Sequence, residues 1–217
     1  TIDISKIQEE IKMSKKLFLS SSFEDVATLL PEFEKNLVGK KVTFIPTASI
    51  VEQVAFFVES GKKALEELGL IVDELELSTA TAEEIESKIT NNDIIYVTGG
   101  NTFFLLQEMI RTGADKLVIN EVNSGKLYIG ESAGAVITAP SIEYIKSMDS
   151  PEKAPDLIDI KGFGFVDFHV LPHYTNQPFM KIAHKVFEDY SSELILKPIS
   201  NNEVILVDGK ETVTKAN

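Results

Sequence analysis

The chain of 217 residues predicts an α/β fold: three layers, with a mostly parallel sheet between helices. Two observations carry that expectation. Short β-branched and apolar runs alternate with longer amphipathic stretches along nearly the whole sequence. Strands separated by helices return by right-handed crossovers and build a parallel sheet covered on both faces. A hydrophobic fraction of 43% supplies the apolar material for such a core and argues against wholesale disorder.

Taken in order, period-two and short apolar runs predict strands over 16–20, 42–46, 71–75, 94–98, 126–129, 165–171, 194–196, 204–207 and 211–214. Helical spacing predicts helices over 23–38, 50–68, 82–89, 102–111, 114–123, 133–138 and 178–190. Thr81 with Glu84 three positions on forms a capping box, and Gly69 and Gly113 stand where helices end. Asp208-Gly209 between the last two strands predicts an edge hairpin. No repeat or linker interrupts the pattern. The stretch 147–156, rich in Pro, Asp and Lys, reads as a loop over a site. Met13 runs almost directly into the first strand, which leaves 1–14 as an N-terminal extension and 15–217 as a single domain.

Composition narrows the function. Without cysteine there is no disulfide, no thiolate metal site and no cysteine nucleophile, in keeping with a cytoplasmic protein. A net charge of −13 opposes nucleic-acid and anionic-membrane surfaces, which need clustered Lys and Arg. No run reaches the roughly 18 apolar residues of a membrane span, and the opening TIDISKIQEEIK has no apolar centre for a secretory signal. Arg111 is the single arginine. No His/Asp cluster has metal-ligand spacing, so neither metal nor cofactor is expected.

Function in such a sheet gathers at the carboxyl ends of strands, and three ends stand out. Gly130-Glu131-Ser132-Ala133-Gly134 fits G-x-S-x-G between a buried strand and a helix of small residues. A serine in that turn is thrust upward, and the next amide, that of Ala133, can face a developing oxyanion. Thr98-Gly99-Gly100-Asn101-Thr102 places paired glycines where amides can be left free to donate. Leu171-Pro172-His173 offers an imidazole at a strand end, better placed than His169 within a strand or His184 within a helix. For the group that orients the imidazole, Asp149 leads, in the order Ser, Asp, His, with Asp167 near His173 in sequence; Glu131, next to the serine, either shapes the pocket or is solvated.

YVTGGNTFFLLQ, YIGESAGAVI and LPHYTN, in this order and with these gaps, resemble peptidase family S51, the aspartyl dipeptidases (peptidase E) and their cyanophycinase relatives. The resemblance covers nearly all of 15–209 and implies a fold similar to class I glutamine amidotransferases with serine replacing cysteine. It places the family's nucleophile on Ser132, its histidine on His173, and its oxyanion donors near Gly100 and Ala133. One acid assigned in the family falls near Asp149. Another falls before the penultimate strand, where this chain reads Ser200-Asn201-Asn202-Glu203, with asparagine at the best match. The family's arginine after the histidine, thought to bind an N-terminal aspartate, has no counterpart in Tyr174-Thr175-Asn176-Gln177-Pro178. The expected reaction is hydrolysis of short peptides, by a monomer or homodimer. An esterase or amidase of small acyl compounds, and a catalytically idle binding protein, are the rival readings.

Overall fold

In a computed structural model the described residues are 15–217. Residues 1–14, the expected extension, lie outside them. Among the described residues the sheet has seven strands in the order β3-β2-β4-β5-β1-β8-β9. These are β1 (Lys16–Ser20), β2 (Lys41–Ile45), β3 (Ile71–Glu74), β4 (Ile94–Val97), β5 (Leu127–Glu131), β8 (Glu203–Asp208) and β9 (Glu211–Ala216). The first five in chain order are parallel, while β8 and β9 run antiparallel as the expected edge hairpin. Two further strands, β6 (His169–Leu171) and β7 (Leu196–Pro198), pair in parallel as a separate small sheet.

Strand alternation divides the core. Leu17, Leu19, Ile95, Val97 and Tyr128 face one layer, and Phe18, Val42, Phe44, Ile94, Tyr96 and Ile129 face the other. The first layer is packed by α4 (Ala82–Asn91), α5 (Thr102–Thr112), α6 (Ala114–Asn123), α7 (Ala133–Val136) and α8 (Met180–Tyr190). The second is packed by α1 (Phe23–Val26), α2 (Leu30–Phe33) and α3 (Phe56–Glu67). The Thr81 cap forms as expected, its hydroxyl accepting from Glu84 N at 3.2 Å. No helix among the described residues is long and apolar enough to cross a membrane.

Three expected elements are shortened most, each for a local reason. The helix expected over 23–38 breaks into α1, a 3₁₀ turn over Ala27–Leu29, and α2, with Pro31 in the first turn of α2, where its missing amide does no harm. The helix expected over 50–68 begins only at Phe56, because turn bonds from Ile50 N to Thr47 O and Glu52 N to Ser49 O occupy the chain before it. The strand expected over 165–171 keeps only His169–Leu171. Phe165 N and Val166 N donate instead to Thr138 O, folding the first half against the end of α7.

The site depends on how closely α7 approaches the sheet. A Cβ on Gly134 would lie 2.2 Å from Val97 O, and one on Gly130 would lie 2.5 Å from Gly134 O. Both obstacles are backbone and cannot swing aside. Gly134→Ala is therefore expected to destabilise the fold by at least about 2 kcal/mol, an overpacking cost. A urea midpoint matching that of the parent would show that α7 does not sit this close.

Candidate active site

Parallel register brings three strand ends side by side. Val97 pairs with Gly130, and Ser20 pairs with Glu131. One residue on, Ser132 N donates to Ser20 O at 2.8 Å, so the ladder runs into the turn that presents the serine. Ser132 has φ 48° and ψ −106°, an unfavourable conformation for a side chain-bearing residue. Its carbonyl accepts from Ala135 N and Val136 N at 2.9 Å, which ties the turn to α7. Ala133 follows as the first residue of α7, where an amide has no intrahelical acceptor.

His173 arrives from the small sheet. After β6 and Pro172 it too takes a positive φ, 58°. Its amide donates to Ser21 Oγ at 3.0 Å, and that hydroxyl donates to Ile199 O at 3.1 Å. The imidazole Nε2 stands 3.0 Å from Ser132 Oγ, and Nδ1 stands 2.8 Å from Asn201 Oδ1. Asn201 is held by its own amide, which donates to Asn176 Oδ1 at 2.9 Å. With Nδ1–H given to the amide oxygen, the Nε2 lone pair faces the serine hydroxyl. Burial lowers the pKa of His173, and the bond to Asn201 offsets this in part, so the neutral ring is favoured.

Asp149 does not meet this imidazole. Its carboxylate accepts from Thr102 N at 2.9 Å and from Thr102 Oγ1 at 2.5 Å, capping the start of α5. Burial raises its pKa to about 6 against the lowering effect of the Thr102 bonds. The residue expected to orient the histidine is thus Asp149 by chain order but Asn201 by position. Gly99 and Gly100 do lie against the serine strand end. A Gly99 Cβ would be 3.2 Å from Ser132 Cβ, and Gly100, at φ 131°, leaves no room for one against Ala48 O at 2.2 Å. His169 packs edge-on against Tyr144 and His184 lies against Tyr174, while the imidazole that meets Ser132 Oγ is that of His173. The roles of Ser21 and Asn176 have no sequence signal, since the side chain of each meets backbone groups from a distant part of the chain.

Glu131, adjoining the serine, is 3% exposed rather than solvated. It accepts from Phe23 N at 2.9 Å and Tyr96 Oη at 3.0 Å, with a further bond from the Gly99 amide. Burial outweighs these donors and lifts its pKa from 4.5 to about 7. For an acid with a raised folded pKa, the folded state holds the proton more tightly than the unfolded one. Stability from this group is complete below about pH 4.5 and is lost as pH rises through about 7. Asp149, raised from 3.8 to about 6, acts in the same direction. Between about pH 5 and about pH 8, urea unfolding should show Glu131→Gln losing less stability than the parent, by on the order of 2–3 kcal/mol. Equal losses in the two proteins would remove Glu131 as the source.

Comparison with known proteins gives the family and the fold. The family model described as peptidase family S51 matches residues 13–215. An uncharacterized peptidase of Listeria innocua is 61% identical over 93% of this chain and 96% of its own. A peptidase E of Nostoc is 33% identical over 76% of this chain and 67% of its own. A crystal structure of a Listeria monocytogenes protein, described as a candidate peptidase E, superposes with a TM-score of 0.90 at 59% identity, covering 94% of this chain and 98% of its own. The match over nearly the whole length, on a fold of the same architecture, places the chain in peptidase family S51.

Proposed function

We propose that the protein is a serine-type peptidase that hydrolyses short peptides through an acyl-enzyme on Ser132. The carrying observation is the 3.0 Å approach of Ser132 Oγ to a His173 Nε2 whose other nitrogen is held by Asn201. Nucleophile and base are in hydrogen-bond reach, and the base is oriented by a third group.

The serine oxygen attacks the scissile carbonyl carbon as its proton passes to His173 Nε2. The tetrahedral oxyanion is received by the amides of Gly100 and Ala133, each worth about 3–4 kcal/mol in comparable sites. When the intermediate collapses, the C–N bond breaks and His173 returns the proton to the leaving amine. Water, deprotonated by the same nitrogen, then cleaves the ester and restores the serine. Asn201 serves as the positioning residue for the imidazole. It sets the tautomer as a carboxylate would, but it adds no negative charge to stabilise the imidazolium. Asp149 acts at one remove, by fixing the start of α5 next to Gly100 and Asn101.

Ser132→Ala is expected to abolish both dipeptide turnover and covalent labelling by a fluorophosphonate, with the fold retained by circular dichroism. Turnover at the parent level would end this reading. Asn201→Asp supplies the missing charge and should raise the His173 pKa by about one unit or more, since an opposite charge at this range favours the imidazolium. The rise of kcat/KM with pH would then move to higher pH by the same amount. An unmoved profile would show that Asn201 does not address the catalytic base.

A further inference from the structure

We infer that the peptides taken by this site carry an uncharged apolar residue, aromatic or branched aliphatic, on the acyl side of the scissile bond, seated against Phe57, and that acidic residues are rejected there. This rests on Ser132 as the nucleophile and names the substrate class of that same site.

The point where a Gly99 Cβ would stand is 3.2 Å from Ser132 Cβ and 3.6 Å from Phe57 Cε2. The serine and the phenylalanine ring therefore face each other across a residue that has no side chain. On the other flank, Phe179 stacks on the His173 ring at 4.9 Å between centroids and 28° between planes. His173 protonates the departing amine, so Phe179 borders the leaving residue. Phe57, on α3, comes within 3.6 Å of the Gly99 Cβ point, beside the proposed oxyanion donor Gly100, and so borders the acyl residue. Phe56 lies edge-on to Phe57 at 6.1 Å and is 72% exposed, and Ile50 and Val54 on the same segment are also exposed. Large apolar side chains left in water on the segment that brings Phe57 toward the serine are a surface an apolar substrate group would cover.

The charges nearby point the same way. A cavity of about 330 Å³ opens beside this segment, with apolar walls from Ile50, Ala55 and Val58 and carboxylates from Glu59, Glu74 and Glu76. Ser49, one of its lining residues, has its nitrogen 2.6 Å from the Gly100 Cβ point, which puts these carboxylates on the segment next to the paired glycines. The neighbouring cations are engaged: Lys62 with Glu74 at 3.5 Å, and Lys153 with Glu52 at 2.8 Å. Arg111, the chain's one arginine, is bound to Glu108. An anionic side chain entering here would meet like charge without a free guanidinium to receive it.

The test is kcat/KM for a series of Xaa-Ala dipeptides, with fluorophosphonate labelling of the same samples. Phe-Ala and Leu-Ala are expected to exceed Asp-Ala by at least about tenfold, within the range an apolar pocket can discriminate. Phe57→Ala should cut the Phe-Ala to Ala-Ala ratio by about tenfold, and Phe57→Leu should restore most of it. Preference for Asp-Ala, or a ratio unchanged in Phe57→Ala, overturns this inference while labelling of Ser132 keeps the serine-peptidase reading intact. Labelling without cleavage of any member also overturns it. Loss of both labelling and cleavage in the folded parent sinks the two together.

Discussion

The contact on which the sheet's carboxyl edge depends is backbone against backbone: α7 lying on β4 through Gly134, with Gly130 clearing the way beneath it. Any side chain at Gly134 would meet Val97 O, and Val97 is the residue from which the chain turns into Thr98-Gly99-Gly100. The same approach therefore fixes the height of Ser132 above the sheet and its distance from the paired glycines. It also requires the left-handed serine backbone, since the chain must reverse from strand to helix within one residue. Strain at that residue is balanced by the ladder bond to Ser20 O and by the two helix amides that grip its carbonyl.

A second frame carries the histidine. The small β6–β7 sheet is continued by Ile199 N to Leu171 O and Tyr174 N to Ile199 O, both at 3.0 Å, so the segments bearing His173 and Asn201 are laced together beyond the strands. Ser21 joins this frame to the main sheet, accepting from His173 N and donating to Ile199 O. The separation of Nε2 from Oγ is thus set by three strand ends and one hydroxyl. Loop flexibility has little part in it, which suits a pair that must stay within hydrogen-bond reach.

How much of this was legible in the chain follows from the range of the forces involved. The parallel sheet, the edge hairpin, the Thr81 cap and the serine turn are written in local patterns of two to four residues, and they form where expected. The strands of the small sheet were expected over 165–171 and 194–196 but not their separate pairing or their bounds, because the run from Phe165 spends its first amides on Thr138 O, a partner no alternation reveals. Asp149 shows the limit most plainly. Its place in chain order suits an orienting acid, yet its short side chain finds two donors at Thr102 before it could find an imidazole. Asn201 was visible only as a family position holding an unexpected residue, Asn176 only as the end of the LPHYTN run with no role attached, and Ser21 not at all.

Carboxylates are not scarce around the site, which gives the amide at Asn201 a physical meaning. Glu131 adjoins the serine and Asp149 caps the neighbouring helix, both with raised pKa values, about 7 and about 6. Each is committed to backbone donors that hold a strand end or a helix start. A third buried carboxylate beneath His173 would add like charge to an edge already rich in it, and would hold the imidazole protonated to higher pH. With an amide there, burial outweighs the hydrogen bond to Asn201 and the neutral ring is favoured. On the proposed mechanism this exchanges some stabilisation of the imidazolium for a base that is ready over a wider range of pH.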